Sequence, residues 1–346
     1  MNIYFNDTMN PKVSIIILNW NGWKDTIECL ESIYQINYTN YNVIVLDNGS
    51  NDDSIEKIRE YCNGQIKVKS RFIEYDYSNK PIKLKEYTKT ESENANKIKI
   101  KNSSKNKEII FIKNDENYGF TGGNNIGIDF ALKNLNPHYI LLLNNDTVVD
   151  KEFLTELVAV TESNKNIGIA GPTIYYYDKP NKISFAGGMM NFSRGESYHM
   201  GYNKSNDENY SFKEVDYVEG SCFLIKKELI EKIGTLNEKY FAYWEETDLC
   251  MRAKNANYIL VYVPRAKIWH KIGNNTENIS ELREFYLTRN MFWFMKEHAS
   301  KQQYMQFILY FFGFKLWFRI GTLILHHKSW KGLVAFLKGI LTGVIT

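Results

Sequence analysis

The sequence offers little to metal-ribbon or redox chemistry. Its four cysteines (Cys29, Cys62, Cys222, Cys250) are scattered, and no C-x-x-C pair exists. Free thiols in a reducing compartment are expected. Residues Met1–Lys12 are polar and contain no apolar signal core, so no export is expected and the active part should stay in the cytoplasm. A G-x-G-x-x-G fingerprint and a Walker loop are also missing, which argues against a dinucleotide enzyme and a P-loop NTPase. Net charge is small, +3 over 346 residues, too little to suggest nucleic acid. Its distribution is uneven. From Lys301 onward there are six Lys and Arg but no Asp or Glu, so the preceding residues carry −3. A basic, acid-free tail on a mildly acidic body suggests an anionic partner for the tail.

Hydrophobic residues at 44% and charged residues at 24% are those of a folded globular chain. Val13–Leu18, Val43–Leu46, Ile109–Ile112 and Tyr139–Leu143 are short apolar runs of buried-strand length. Helical spacing follows in 24–35 (Ile27, Leu30, Tyr34), about 53–61, 123–134 and 151–163, the last capped by Asp150. Continuous apolar strands joined by helices predict an α/β fold: a mostly parallel sheet with helices on both faces. In such sheets ligands bind beyond the carboxyl ends of the strands. Residues 75–107, rich in Lys, Asn, Ser and Glu, read as a surface insertion or mobile loop with solvated lysines.

The polar clusters fall at strand ends. Asn144-Asn145-Asp146 follows a buried strand, where one carboxylate either caps the turn or holds a divalent cation with substrate phosphates. Trp244-Glu245-Glu246-Thr247-Asp248 opens a helix. Acidic residues there suit the dipole, but an aromatic beside paired carboxylates also describes a general base next to a sugar ring. His270 follows the strand Tyr258–Val263. The run Asn117–Asn125 has glycines that let a ligand approach the backbone before a helix starts, and Asp47 ends the second strand.

The tail is different in kind. Tyr304–Leu325 is almost wholly apolar and aromatic, with Lys315, Arg319, Thr322 and His326 on one helical stripe; Lys331, Ala335, Lys338 and Thr342 repeat the spacing. A basic stripe beside a wide aromatic face predicts a helix lying in a membrane interface, the other option being packing on the domain or on a second subunit. Crossing the bilayer is disfavoured, because two charges near mid-span would each cost about 2.5–3.5 kcal/mol.

In this order, Asn19-Trp20-Asn21, Asp47-Asn48-Gly49-Ser50, Asn117–Asn125, Asn144-Asn145-Asp146, Gly220-Ser221-Cys222, Glu245–Asp248 and His270 resemble the family 2 glycosyltransferases of the GT-A fold. Within them the chain is most similar to the rhamnosyltransferase-like and galactofuranosyltransferase-like branches, and Phe285–Asn290 before an aromatic tail fits the same branch.

The resemblance implies a Rossmann-like GT-A domain over 11–275, and the pattern of the tail adds a helical, membrane-associating extension over 276–346. Asn19 and Asp47 would hold base and ribose, and Asn117, Gly122 and Asn125 would line the donor pocket with Asn144 and Asn145. Asp146 and His270 would bind Mn²⁺ or Mg²⁺ on the donor diphosphate, and Glu246, or its neighbour Glu245, would be the base of an inverting transfer. The implied partners are a nucleotide-sugar donor, first dTDP-rhamnose and otherwise a UDP-hexose or UDP-galactofuranose, and a glycan or lipid-linked glycan acceptor. Implied surroundings are the inner membrane face, no nucleic acid, and an open possibility of a homo-oligomer. An inactive glycan- or nucleotide-binding homologue is the other reading.

Overall fold

A computed structural model describes residues 10–95, 107–205, 212–272 and 280–346. Its first half alternates β1 (Val13–Asn19), α1 (Trp23–Ile33), β2 (Tyr41–Asp47), α2 (Ser54–Cys62), β3 (Lys83–Thr88), α3 (Lys89–Asn94), β4 (Glu108–Lys113), α4 (Gly119–Asn134) and β5 (Tyr139–Asn144). There follow β6 (Thr147–Val149), α5 (Phe153–Glu162), β7 (Ile167–Tyr176), β8 (Ile183–Phe185), β9 (Gly188–Asn191), β10 (Glu196–His199), β11 (Lys213–Glu214), β12 (Cys222–Lys226) and α6 (Lys227–Ile233). Then come α7 (Glu245–Asn255), β13 (Ile259–His270) and α8 (Glu281–His298). The tail is one bent rod of α9 (Lys301–Tyr310), α10 (Leu316–Gly321) and intervening π-type turns, followed by α11 (Trp330–Ile345).

The main sheet runs β11-β13-β7-β12-β5-β1-β2-β4-β3, with β6 on β13 and β8 on β7. Strands β3, β4, β2, β1 and β5 are parallel, and all but the edge strand β3 are continuously apolar and buried. Antiparallel β12 sits between β5 and β7, so its first residue, Cys222, pairs with Leu143 near the carboxyl end of β5. The 219–221 loop is thereby brought to the same edge as the strand ends.

Two expectations need correction. Within residues 75–95 the chain is not a mobile loop: Lys83–Thr88 forms the edge strand β3 and Lys89–Asn94 a short helix closed by a Thr88–Glu91 capping box. The strand is charged yet ordered, because Glu86 accepts a two-pronged bond from Arg59 and a third from Lys113. Nor are its lysines all solvated. Lys80 is buried against fully buried Glu31 at 2.9 Å, and its ammonium lies over the Tyr61 ring. The expected segment 96–106 lies outside the described residues.

The second correction concerns the tail. Lys315 and Arg319 do not form an outward stripe. The Lys315 ammonium reaches the Gly195 carbonyl and Glu196, and Arg319 pairs with buried Glu284 of α8. An unshielded charge is expensive beside an apolar surface, so the two cations turn to carboxylates of the folded body. The outward face is left apolar: Trp317 is 64% exposed and Leu325 79%, with Leu309, Phe314 and Phe318 also exposed.

Candidate active site

The carboxyl edge of the sheet collects the polar residues in register. Asn19 lies opposite Asp47, and Leu18 opposite Asn144. Asp47 is buried and spent within its loop: it accepts from Asn19 Nδ2 (2.8 Å), Ser50 Oγ (2.6 Å) and the Ser50 amide (3.0 Å). Asn145 donates to Thr26 Oγ1 at 3.0 Å, which in turn donates to Asn19 Oδ1 at 2.8 Å. Asn19, Asp47 and Asn145 thus form one preset polar shelf.

Asn117 belongs to the same edge, where its Oδ1 accepts from Asn48 Nδ2 and the Gly119 amide. The glycine run itself departs from expectation, since α4 starts at Gly119, a turn earlier than the spacing suggested. Gly119 needs a left-handed φ of +71°, and the Phe241 carbonyl lies 2.5 Å from where a Cβ would stand. That carbonyl accepts the Phe120 and Thr121 amides, so these first-turn amides are taken and do not face a phosphate. Gly122 and Gly123 lie within α4, where a Cβ at Gly123 would sit 2.6 Å from Leu18 Cδ1; the missing side chain lets the helix pack on β1. Asn125 is buried apart, its amide bonded to the Leu236 backbone and Glu238.

Next to the shelf, β6 pairs antiparallel with the end of β13, Thr147 opposite His270. His270 is therefore the last residue of a strand that runs seven residues beyond Val263, and the Lys271 amide donates to the Asp146 carbonyl at 2.9 Å. This pairing puts His270 Nε2 3.1 Å from Asp146 Oδ1, while its Nδ1 lies 3.7 Å from Glu219 Oε1. The first distance is that of an ion pair, but Asp146 Oδ1 receives no directed hydrogen bond; His270 Nδ1 and Glu219 Oε2 are likewise buried without one. Burial alone would lower the His270 pKa, but Asp146 and Glu219 raise it to about 10.

Asp146 Oδ1, buried without a directed partner, and His270 Nε2, 3.1 Å from it, form a donor set that fits a divalent cation. Before Nε2 can ligate, it must give up its proton. Glu219 was not singled out from the sequence. The signal was there to read: a carboxylate immediately before Gly220-Ser221-Cys222, at the start of a buried strand.

A cleft of about 670 Å³ continues from His270 and Glu219 to Tyr243, Trp244, Glu245 and Glu246. Here the backbone is strained. Tyr243 and Trp244 both adopt left-handed conformations, with φ of +69° and +76°, and neither is glycine. Each such residue costs about 1–3 kcal/mol and persists only where its surroundings impose it. Glu246, half-buried, follows this turn into the cleft, and burial raises its pKa to about 7, helped by the charge of Glu219. Glu245 is fully buried, and burial and Glu246 together push its pKa well up. Asp248 faces away, held between His298 (2.8 Å) and Arg252 (2.8 Å).

Known proteins supply an independent comparison. Residues 139–346 match the family described as "Glycosyl transferase family group 2", and residues 14–76 match "Glycosyl transferase family 2". The low-salt glycan biosynthesis hexosyltransferase Agl10 of Haloferax volcanii is 32% identical over 174 residues, covering 48% of this chain and 52% of that protein. The dTDP-rhamnosyl transferase RfbF of Shigella flexneri is 26% identical over 190 residues, 53% of this chain and 61% of that one. The chain thus spans between half and two thirds of the length of these relatives. Among solved structures, the mannosyltransferase PcManGT from Pyrobaculum calidifontis, in complex with GDP-Man and Mn²⁺, superposes with a TM-score of 0.54. It is 11% identical, and the match covers 97% of this chain and 74% of that one. The Staphylococcus aureus TarS fragment 1–349 with UDP-GlcNAc gives 0.54 at 12% identity, covering 95% and 79%. At such identities these matches bear on the fold, which is GT-A.

Proposed function

The chain belongs to glycosyltransferase family 2, and on that basis we propose that it moves a sugar from a nucleotide diphosphate to a glycan hydroxyl, with inversion. One observation carries the reading. A half-buried carboxyl with its pKa near neutrality lines the same cleft as His270, whose Nε2 pairs with Asp146 in a donor set suited to a divalent cation. In this reading Asn19, Asp47, Asn117, Asn144 and Asn145 form the donor side. Asp146 and His270 hold Mn²⁺ or Mg²⁺, the imidazole favouring Mn²⁺. A cation bound there would supply positive charge to the departing diphosphate.

Glu246 takes the proton of the acceptor hydroxyl. The acceptor oxygen bonds to the anomeric carbon as the bond to the diphosphate oxygen breaks, and its electron pair leaves with the diphosphate. Of the two glutamates, Glu246 is the better base, because it opens onto the cleft, whereas burial and the neighbouring Glu246 charge push the Glu245 pKa well above its ordinary value and favour its protonated form. dTDP-rhamnose is the first donor to test, supported by the name of the Shigella relative; UDP-hexoses and UDP-galactofuranose complete the panel.

The stretch Lys301–His326 is long and apolar enough to cross a membrane by length and composition. Its two central cations are tied to the folded body, which favours a rod lying in the interface with its apolar face in lipid. In this reading the enzyme works at the cytoplasmic membrane face on a lipid-linked glycan.

The test is thermal stabilisation by each nucleotide sugar, with and without Mn²⁺. A donor at a hundredfold its Kd adds about 2.7 kcal/mol of stability. A Mn²⁺-dependent shift with one donor supports the reading and names the sugar. Folded protein that responds to no donor overturns the transferase reading in favour of a glycan-binding one.

A further inference from the structure

The turn that aims Glu246 has no glycine to ease it, so its shape must be imposed from outside. The imposing group is on α8. Asn290 is fully buried, and its Nδ2 donates to two consecutive carbonyls, Ala242 O at 2.9 Å and Tyr243 O at 2.8 Å. Its Oδ1 accepts from Arg289 Nε at 2.8 Å, which fixes the amide so that both N–H groups face the turn. One helical turn earlier, the Leu287 carbonyl accepts the Trp244 indole N–H at 3.2 Å. Trp244 also packs its ring on Phe294, with centroids 4.8 Å apart. The two left-handed residues are therefore held at both ends by one face of α8, and α7 starts at the next residue, Glu245.

We propose that Asn290 is a positioning residue for the catalytic base: its amide clamps the Ala242–Trp244 turn, whose left-handed backbone sets Glu246 in the cleft. The proposal rests on the transferase reading for the word "catalytic" but not for the clamp itself. Without the amide, the carbonyls of Ala242 and Tyr243 lose their donor, and nothing in the side chains of Tyr243 or Trp244 favours positive φ. The turn then relaxes toward ordinary backbone and Glu246 moves with it. The hydrogen bonds of Asn290 go to Ala242, Tyr243 and Arg289, none of them a proposed donor or metal residue. Its loss should therefore separate turnover from donor binding, which general destabilisation would not do.

Asn290→Ala and the milder Trp244→Phe, which removes the indole N–H while keeping an aromatic ring against Phe294, test this in the full-length protein. Expected for Asn290→Ala is a fall in kcat of at least tenfold. Donor KM and Mn²⁺-dependent donor binding should stay within twofold, and the acid limb of the pH–rate profile should shift to lower pH as water reaches the carboxyl. Trp244→Phe should show the same split in smaller measure. A folded Asn290→Ala protein with wild-type kcat and pH limb, or one losing donor binding in step with kcat, overturns the proposal.

A second readout needs no turnover. Water-soluble carbodiimide labels protonated carboxyls, and peptide mass spectrometry follows Glu246 against pH. A shifted labelling midpoint in Asn290→Ala supports the clamp even if no nucleotide sugar proves to be a donor. An unchanged midpoint overturns it even if the wild type is an active transferase.

Discussion

At the scale of single residues, Glu246 and His270 carry protonation states that their surroundings force on them, and each yields a pH-dependent expectation. Glu246 has its folded pKa raised to about 7 from the ordinary 4.5, so its protonated form is the favoured one. The associated stability is fully present below pH 4.5 and is lost as pH rises to about 7. Activity has the opposite sign, because only the ionised carboxylate accepts a proton, and kcat should rise with pH through an inflection near 7. Glu246→Gln should keep Mn²⁺-dependent donor binding and lose transfer by about a hundredfold or more. It should also melt above the wild type at pH 8 and level with it at pH 4, read by calorimetry. A fully active variant would move the base elsewhere.

For His270, with its pKa raised to about 10, stability is present below pH 6.5 and lost as pH climbs toward 10. Ligation requires the neutral ring, so Mn²⁺ affinity should increase about tenfold per pH unit between roughly 7 and 9. Mn²⁺ titration at three pH values checks this, with Asp146→Ala as the control that binds none. A flat pH response would take His270 out of the metal site.

Among the secondary-structure elements, α1 is tied to the 75–82 segment by a buried ion pair. Glu31 on α1 is fully buried and accepts from Lys80 Nζ (2.9 Å), Tyr61 OH (2.7 Å) and the Asp76 amide (2.9 Å). Removing one partner of a buried ion pair leaves the other charge uncompensated, at a cost of about 3–5 kcal/mol. Lys80→Met should lose that much in urea denaturation, whereas Lys80→Met with Glu31→Gln together should recover part of it. Strands of the parallel half were legible because both faces are covered: the runs at Val13, Val43, Ile109 and Tyr139 had no competing pattern. Strand β3, Lys-Leu-Lys-Glu-Tyr-Thr, was not, since an edge strand takes its order from partners such as Arg59 and Lys113 that are distant in sequence. Much the same divides the candidate site. Asp146, His270 and Glu246 could be found from residue type and place, but the Tyr243–Trp244 turn has no local signal and is set by Asn290, about 45 positions on.

Taken as a whole molecule, the chain presents two very different surfaces, a charged globular body and an apolar rod. Because Lys315 and Arg319 are paired with Glu196 and Glu284, they are not the lipid contacts, and their loss should weaken docking of the rod more than binding to vesicles. Trp317→Gln with Phe318→Gln should cut co-sedimentation with phosphatidylcholine vesicles several-fold while leaving Mn²⁺-dependent donor binding intact. Unchanged sedimentation would assign the apolar face to another subunit instead.

Strand β3 has one more consequence, which concerns solubility rather than chemistry. Its neighbour β4 reads Glu-Ile-Ile-Phe-Ile-Lys, with four buried apolar residues in succession. Left at the rim of the sheet, that strand would offer a free row of amides and carbonyls to any similar strand on another chain. Covered by β3 along its whole length, Lys83 opposite Glu108 through Thr88 opposite Lys113, it is out of reach. The new rim carries Lys83, Lys85 and Glu86, charged side chains that disfavour edge-to-edge pairing. The segment read from the sequence as a surface insertion or mobile loop therefore covers the apolar rim of the sheet.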